Sequence, residues 1–140
     1  MSDEDSRVRV ACDERGTCFR TEDGRYDIEA TATRLGSDLA VTIRGGEAHV
    51  GAVALAQPRP SLRDPQATGA TASVLCVVGH KEDAVVKRAS EFLAAALDAR
   101  VVVTAGMHWD DLDAEGIRAV MAKVDALVRF MARHLAGEPK

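Results

Sequence analysis

Aromatic side chains are scarce in this chain of 140 residues: three phenylalanines, one tyrosine and one tryptophan make up 4% of it. Hydrophobic residues still reach 46%, so alanine and valine must supply most of the core, which favours close packing of helices on a sheet. Charged residues make up 29%, a globular composition and not a disordered one. Cysteine is scarce too. Cys12 and Cys18 stand in CDERGTC, a spacing that matches no common zinc or redox motif. They could face each other across a hairpin, but free thiols are the expectation in a reducing compartment. Cys76, inside SVLCVV, reads as a small core residue. No apolar run approaches the ~20 residues of a membrane span. No run of Lys or Arg exceeds two residues and the formal charge is −4, which argues against nucleic acid or an anionic membrane as partner. The opening MSDEDSRVRV is acidic where a signal peptide would be basic and then apolar, so a cytoplasmic location is expected. Also missing are GxSxG, GxGxxG, a Walker loop and CxxC, so no motif names a reaction.

What is present is hydrophobic periodicity. The length suits one domain spanning 1–140, with 1–6 and 137–140 expected to fray. In YDIEATAT, the residues Tyr26, Ile28, Ala30 and Ala32 alternate with polar partners, the mark of a half-buried strand. LGSD turns the chain, and LAVTIR repeats the alternation through Leu39, Val41 and Ile43. Gly45-Gly46 is a two-residue hairpin signal leading into HVGAVALA, whose almost continuous apolar run predicts a strand covered on both faces. QPRPSLRDPQATGA, with three prolines, reads as a long loop. TASVLCVV predicts a second buried strand and RVVVTA a third. Between them, from about Lys81 to Leu97, Val85, Ala89, Phe92, Leu93 and Ala96 follow helical spacing. A last helix carries Ile117, Val120, Met121, Val124, Leu127, Val128 and Met131 in one stripe, with Asp113 as N-cap. A β-meander followed by β-α-β-α predicts an α/β (α+β) sandwich: a mixed sheet with two helices packed on one face.

The β-α-β unit makes strands 71–78 and 101–105 parallel, so their C-terminal ends share a rim. Gly79-His80-Lys81-Glu82 and Gly106-Met107-His108-Trp109-Asp110-Asp111 are therefore expected to be neighbours. Such rims bind ligands in open α/β sheets, and helix N-termini there suit a phosphate or carboxylate. If HVGAVALA pairs antiparallel with TASVLCVV, His49 joins that rim and the proline-rich loop, with Arg59 and Ser61, falls roughly 25 Å away at ~3.3 Å per residue. A parallel pairing would swap the two. Each residue has a plainer reading beside the functional one. Glu82 and Asp83 also complement a helix dipole, Asp110, Asp111 and Asp113 also serve as caps, and Trp109 is either a stacking platform or a hydrophobic lid. Three histidines with carboxylates could hold a metal, yet no pair has the close spacing of HxH or HExxH. One functional reading is a small enzyme using His80 and His108 as acid and base on an anionic molecule, with Asp110 or Glu82 orienting one of them. Another is a structural subunit whose exposed strand faces, with Glu29, Thr31 and Thr42, meet an oligomer or a larger protein.

GGEAHVGAVALAQPRPSL, SVLCVVGHKED and VVVTAGMHWD, in that order and followed by a long C-terminal helix, resemble the small accessory (D) subunit of prenylated-flavin-dependent decarboxylases, the prenylated flavin chaperone-like domain. The resemblance spans roughly residues 24–135. It implies a non-catalytic accessory role: binding or delivering prenylated FMN, or FMN, for a large decarboxylase subunit that also depends on a flavin prenyltransferase. The motif positions it marks are Gly46, His49, Gly51, Arg59, Pro60 and Ser61, then Gly79, His80, Lys81, Glu82 and Asp83, then Gly106, His108 and Asp110. A phosphate would suit the helix start with Lys81 as counter-charge, and a flat ring would suit Trp109.

Overall fold

The computed structural model describes residues 7–22, 24–77 and 82–138. Nine elements follow one another: β1 (Val8–Asp13), β2 (Gly16–Thr21), β3 (Ile28–Leu35), β4 (Asp38–Gly46), β5 (Ala52–Pro60), β6 (Thr68–Cys76), α1 (Asp83–Leu97), β7 (Val101–His108) and α2 (Ala114–Ala136). The strands form one seven-stranded mixed sheet in the order β1-β2-β3-β4-β7-β5-β6. Every neighbouring pair is antiparallel except β4 and β7.

Both helices lie on one face, as expected. α1 packs on β5, β6 and β7, while α2 packs on β2, β3 and α1. Alternate residues feed this layer: Phe19, Ile28, Ala30, Leu39, Val41, Ile43, Ala54, Val101 and Val103 are buried against Val86, Leu93, Leu127 and Met131. Alanine at Ala30, Ala32, Ala52, Ala54 and Ala56 is what lets the helices sit close. Phe19 meets Phe130 edge-on at 6.1 Å, which seats α2 on β2. α2 starts where expected, the Asp113 carboxylate accepting from the Gly116 amide at 2.7 Å.

Several expectations are corrected. Ahead of Tyr26 a hairpin is expected only as a way for Cys12 to face Cys18; β1 and β2 do form one, but not in that register. Its register pairs Cys12 with Thr17 and Cys18 with Ala11, so the two thiols point to opposite faces and both are free. The Gly45-Gly46 hairpin does not form, because β7 lies between β4 and β5. β5 and β6 are not covered on both faces: Leu55 is exposed, and Leu75 on the edge strand β6 is 74% exposed. Cys76 is likewise exposed and not in the core. The apolar runs there reflect an open, weakly polar sheet face and not a second helix layer. The proline-rich loop is shorter than expected, since β5 runs through Pro58 to Pro60, paired with Ala70 and Thr68 of β6. Beyond Ala56, β5 has β6 on one side and no longer pairs with β7, so prolines fit as they do at sheet edges. Phe92 and Ile117, expected in the helix stripes, are exposed; Phe92 sits beneath the Arg129 guanidinium at the α1–α2 boundary.

Candidate functional site

β7 continues past Ala105 to His108, pairing Gly45 with Met107 and Gly46 with His108, so β4 and β7 end together. β6 also ends there and β5 begins there, Ala52 facing Cys76. β6 and β7 run in the same direction with β5 between them, so the β-α-β unit skips one strand. The antiparallel alternative for β5 and β6 is the one realised.

The segment 47–51 crosses the end of β7 to reach β5. Glu47 N–H donates to the His108 carbonyl at 2.8 Å and Gly51 N–H to the Ala105 carbonyl at 2.9 Å. Two glycines make the crossing possible. Gly46 has φ +60, and a Cβ there would lie 2.1 Å from the His108 oxygen. A Cβ on Gly106 would lie 1.6 Å from the His49 carbonyl oxygen, so the crossing strand rests directly on Gly106.

This crossing delivers His49 to the start of α1. Its Nε2 lies 3.0 Å from Oε1 of Glu82, and its Nδ1 is 3.1 Å from the Glu47 carbonyl oxygen. Glu82 occupies the N-cap of α1 without capping it through its side chain. Its buried carboxylate instead meets His49 and accepts from the Met107 amide at 3.4 Å. A Cβ on Gly51 would come within 2.4 Å of that carboxylate, so the Gly51 position belongs to the same knot. His108 is exposed at the end of β7 and pairs at 3.2 Å with Asp110. Trp109 lies across Gly45 and Gly46, whose Cβ positions fall 2.7 and 2.9 Å from its ring, and meets Tyr26 edge-on at 5.4 Å. Its position is that of a lid over the end of β4. Asp113 is the cap of α2, as above. Gly79, His80 and Lys81 lie outside the described residues.

Arg59 and Ser61 are not brought to this rim. They sit at the far end of the β5–β6 hairpin, roughly 25 Å along the strand at ~3.3 Å per residue. There Arg59 Nε donates to the Thr71 hydroxyl at 2.7 Å, and Ser61 Oγ accepts from the Arg63 amide at 3.2 Å. Among the described residues no group of three metal-ligating side chains forms a metal cluster. No described helix is long and apolar enough to cross a membrane.

Sequence reasoning misses a second feature at this same rim. On the helix-covered side, a cleft of about 350 Å³ opens between the N-terminal hairpin and α2, with Arg7, Arg25, Tyr26 and Lys123 at its walls. Apart from the neighbours Arg25 and Tyr26, these residues are far apart in the chain and no local spacing links them; the unusual backbone of Tyr26, φ 54, is a property of the fold. The Tyr26 hydroxyl accepts from Arg25 Nη2 at 3.2 Å, and that hydrogen bond raises the Arg25 pKa above its ordinary value.

No curated protein matches the chain at a significant level. A solved structure of a chaperone complex for yeast 20S proteasome assembly contains a chain that is 11% identical, with a TM-score of 0.46, covering 89% of this chain and 98% of that one. The model of a family described as the prenylated flavin chaperone LpdD-like domain matches residues 22–136, from the end of β2 to the end of α2. The chain therefore belongs to that family.

Proposed function

We propose that this protein is an accessory chaperone that binds prenylated FMN, or FMN before prenylation, and hands it to a partner prenylated-flavin-dependent decarboxylase. A flavin prenyltransferase would supply the cofactor. The family match over residues 22–136 carries this reading. The open rim is compatible with it, because a carrier must release its cargo and a shallow site does so more readily than a sealed one.

The rim offers the cofactor part of what it needs. His49 and Glu82 face each other, and the Trp109 ring covers the end of β4, so neither is set out as a separate flavin platform. Within the rim motifs, phosphate binding is proposed for Gly79, His80 and Lys81, which precede α1 in the sequence, and for His108 and Asp110 at the end of β7. Arg59 and Ser61 belong to a different surface, suited to a protein contact.

The test is calorimetry and flavin fluorescence with FMN and enzymatically prenylated FMN on the purified chain. Saturable binding that prefers the prenylated form supports the chaperone reading. Flat titrations of both forms into folded protein would end it. Co-purification with a large decarboxylase subunit tests the partner independently.

A further inference from the structure

The cleft under α2 has the chemistry of a ligand site that the rim motifs lack. Its floor is apolar, formed by Val8, Leu127 and three alanines of α2, Ala119, Ala122 and Ala126. Any larger side chain at those alanines would occupy the space, and about 350 Å³ lies within the range of small-molecule sites, roughly 300–1,000 Å³. Around the floor stand Arg7, Arg25 and Lys123, with Glu115 the single carboxylate among the described residues of the lining. Asp113 also acts on Arg25 but is engaged as the cap of α2. Among the described residues, cationic side chains thus outnumber anionic ones at this concave spot, in a molecule of formal charge −4.

The wall is held in advance. Tyr26 has φ 54, a left-handed backbone that is uncommon for an aromatic residue and persists only where its surroundings impose it. The Asp27 carboxylate accepts from the Gly24 amide at 3.2 Å, and the Thr21 hydroxyl accepts from the Ile28 amide at 2.9 Å. Lys123 donates to the Arg25 carbonyl, tying the loop to α2, and Trp109 backs the Tyr26 ring. The strained loop is therefore clamped from β2, β3, α2 and the residue that follows β7 together.

We propose that this cleft binds an anionic small molecule with a flat apolar body, the arginines and Lys123 meeting its charge and Tyr26 with the alanine floor meeting its body. On the chaperone reading, which fixes only the identity of the ligand, that molecule is the flavin mononucleotide, and the cleft takes its phosphate in place of the rim motifs. The β1–β2 hairpin, which lies outside the family match, is then what this chain uses to hold it.

The test titrates FMN, prenylated FMN and 1-anilinonaphthalene-8-sulfonate into the whole chain and into Ala122→Phe and Arg7→Glu, both at exposed positions, with Leu75→Ser as a control on the opposite sheet edge. Thermal melts confirm that each variant is folded. The expected result is a single site, weakened about tenfold or more by both cleft variants and unchanged by Leu75→Ser. Flavin binding that survives both cleft variants overturns the cleft while leaving the chaperone reading intact. Failure of both flavins to bind, with sulfonate binding lost in the variants, removes the flavin and keeps the cleft. No binding of any probe to folded protein overturns the cleft and the flavin reading together.

Discussion

Glu82 shows how one side chain can tie three segments at one rim. It stands at the start of α1, faces His49 of the crossing segment, and accepts from the Met107 amide near the end of β7. Removing one partner of a buried polar pair leaves the other desolvated and unsatisfied. Glu82→Ala is therefore expected to cost about 2 kcal/mol in urea denaturation, and a Glu82/His49 double-mutant cycle to show coupling of about 1 kcal/mol. Additive effects in that cycle would mean that the two side chains do not support each other. Gly106 is the stricter position. A methyl group there would meet the His49 carbonyl at 1.6 Å, and backbone cannot swing aside as a side-chain tip can. Gly106→Ala should cost at least about 3 kcal/mol, or displace the crossing altogether, read from its melting temperature and the loss of Glu47 amide protection. The glycines and histidines of this rim are conspicuous in the sequence as residue types. The contact between His49 and Glu82, 33 positions apart, is not, because it exists only once 47–51 passes over β7.

At the scale of elements, the helices are the most legible part. The stripe from Val120 to Met131 and the Asp113 cap are local features, and local features survive into the fold. Asp113→Ala should cost about 1 kcal/mol, measured by thermal unfolding. The parallel pair β4–β7 has a clamp at its opposite end. Asp38 accepts from Arg100 Nε at 3.0 Å and from the Arg100 amide at 3.1 Å. The side-chain hydrogen bond, then the backbone one, holds its carboxyl below the usual carboxylate range. A folded pKa below the unfolded one gives stability that is present above the unfolded value and lost as pH falls through the folded value. Asp38→Asn should therefore melt below the wild type at neutral pH, with the gap closing on acidification. A gap that is constant with pH would sink this account. Strands are less legible than helices here. The apolar runs of β5 and β6 suggest burial on both faces, while only their inner residues are covered. Pro58 and Pro60 suggest a loop, although a strand end with one unpaired side accepts them.

For the whole molecule, the consequential feature is one-sided layering: two helices cover one face of seven strands and leave the other open. Leu55 and Leu75 lie on that open face, so Leu75→Ser should shift stability by no more than about 0.5 kcal/mol, whereas Leu93→Ala, fully buried beneath α1, should cost about 2–5 kcal/mol. Equal losses in the two would show that the open face is covered in solution. Hydrophobic period, capping residues and turn residues act over a few positions, which is why the α/β class, both helices, most strands and the rim that gathers the polar motifs could be read directly from the chain. Strand order is a different kind of fact. Whether β5 pairs with β4 or with β7 depends on pairing energies between segments about 50 residues apart, and nothing in Gly45-Gly46 distinguishes a hairpin from a crossing. The insertion of β7 turned an expected turn into a bridge and set His49 against Glu82. The cleft under α2 arose in the same way, from an N-terminal hairpin, a strained loop and a helix whose side chains meet only after the sheet is assembled.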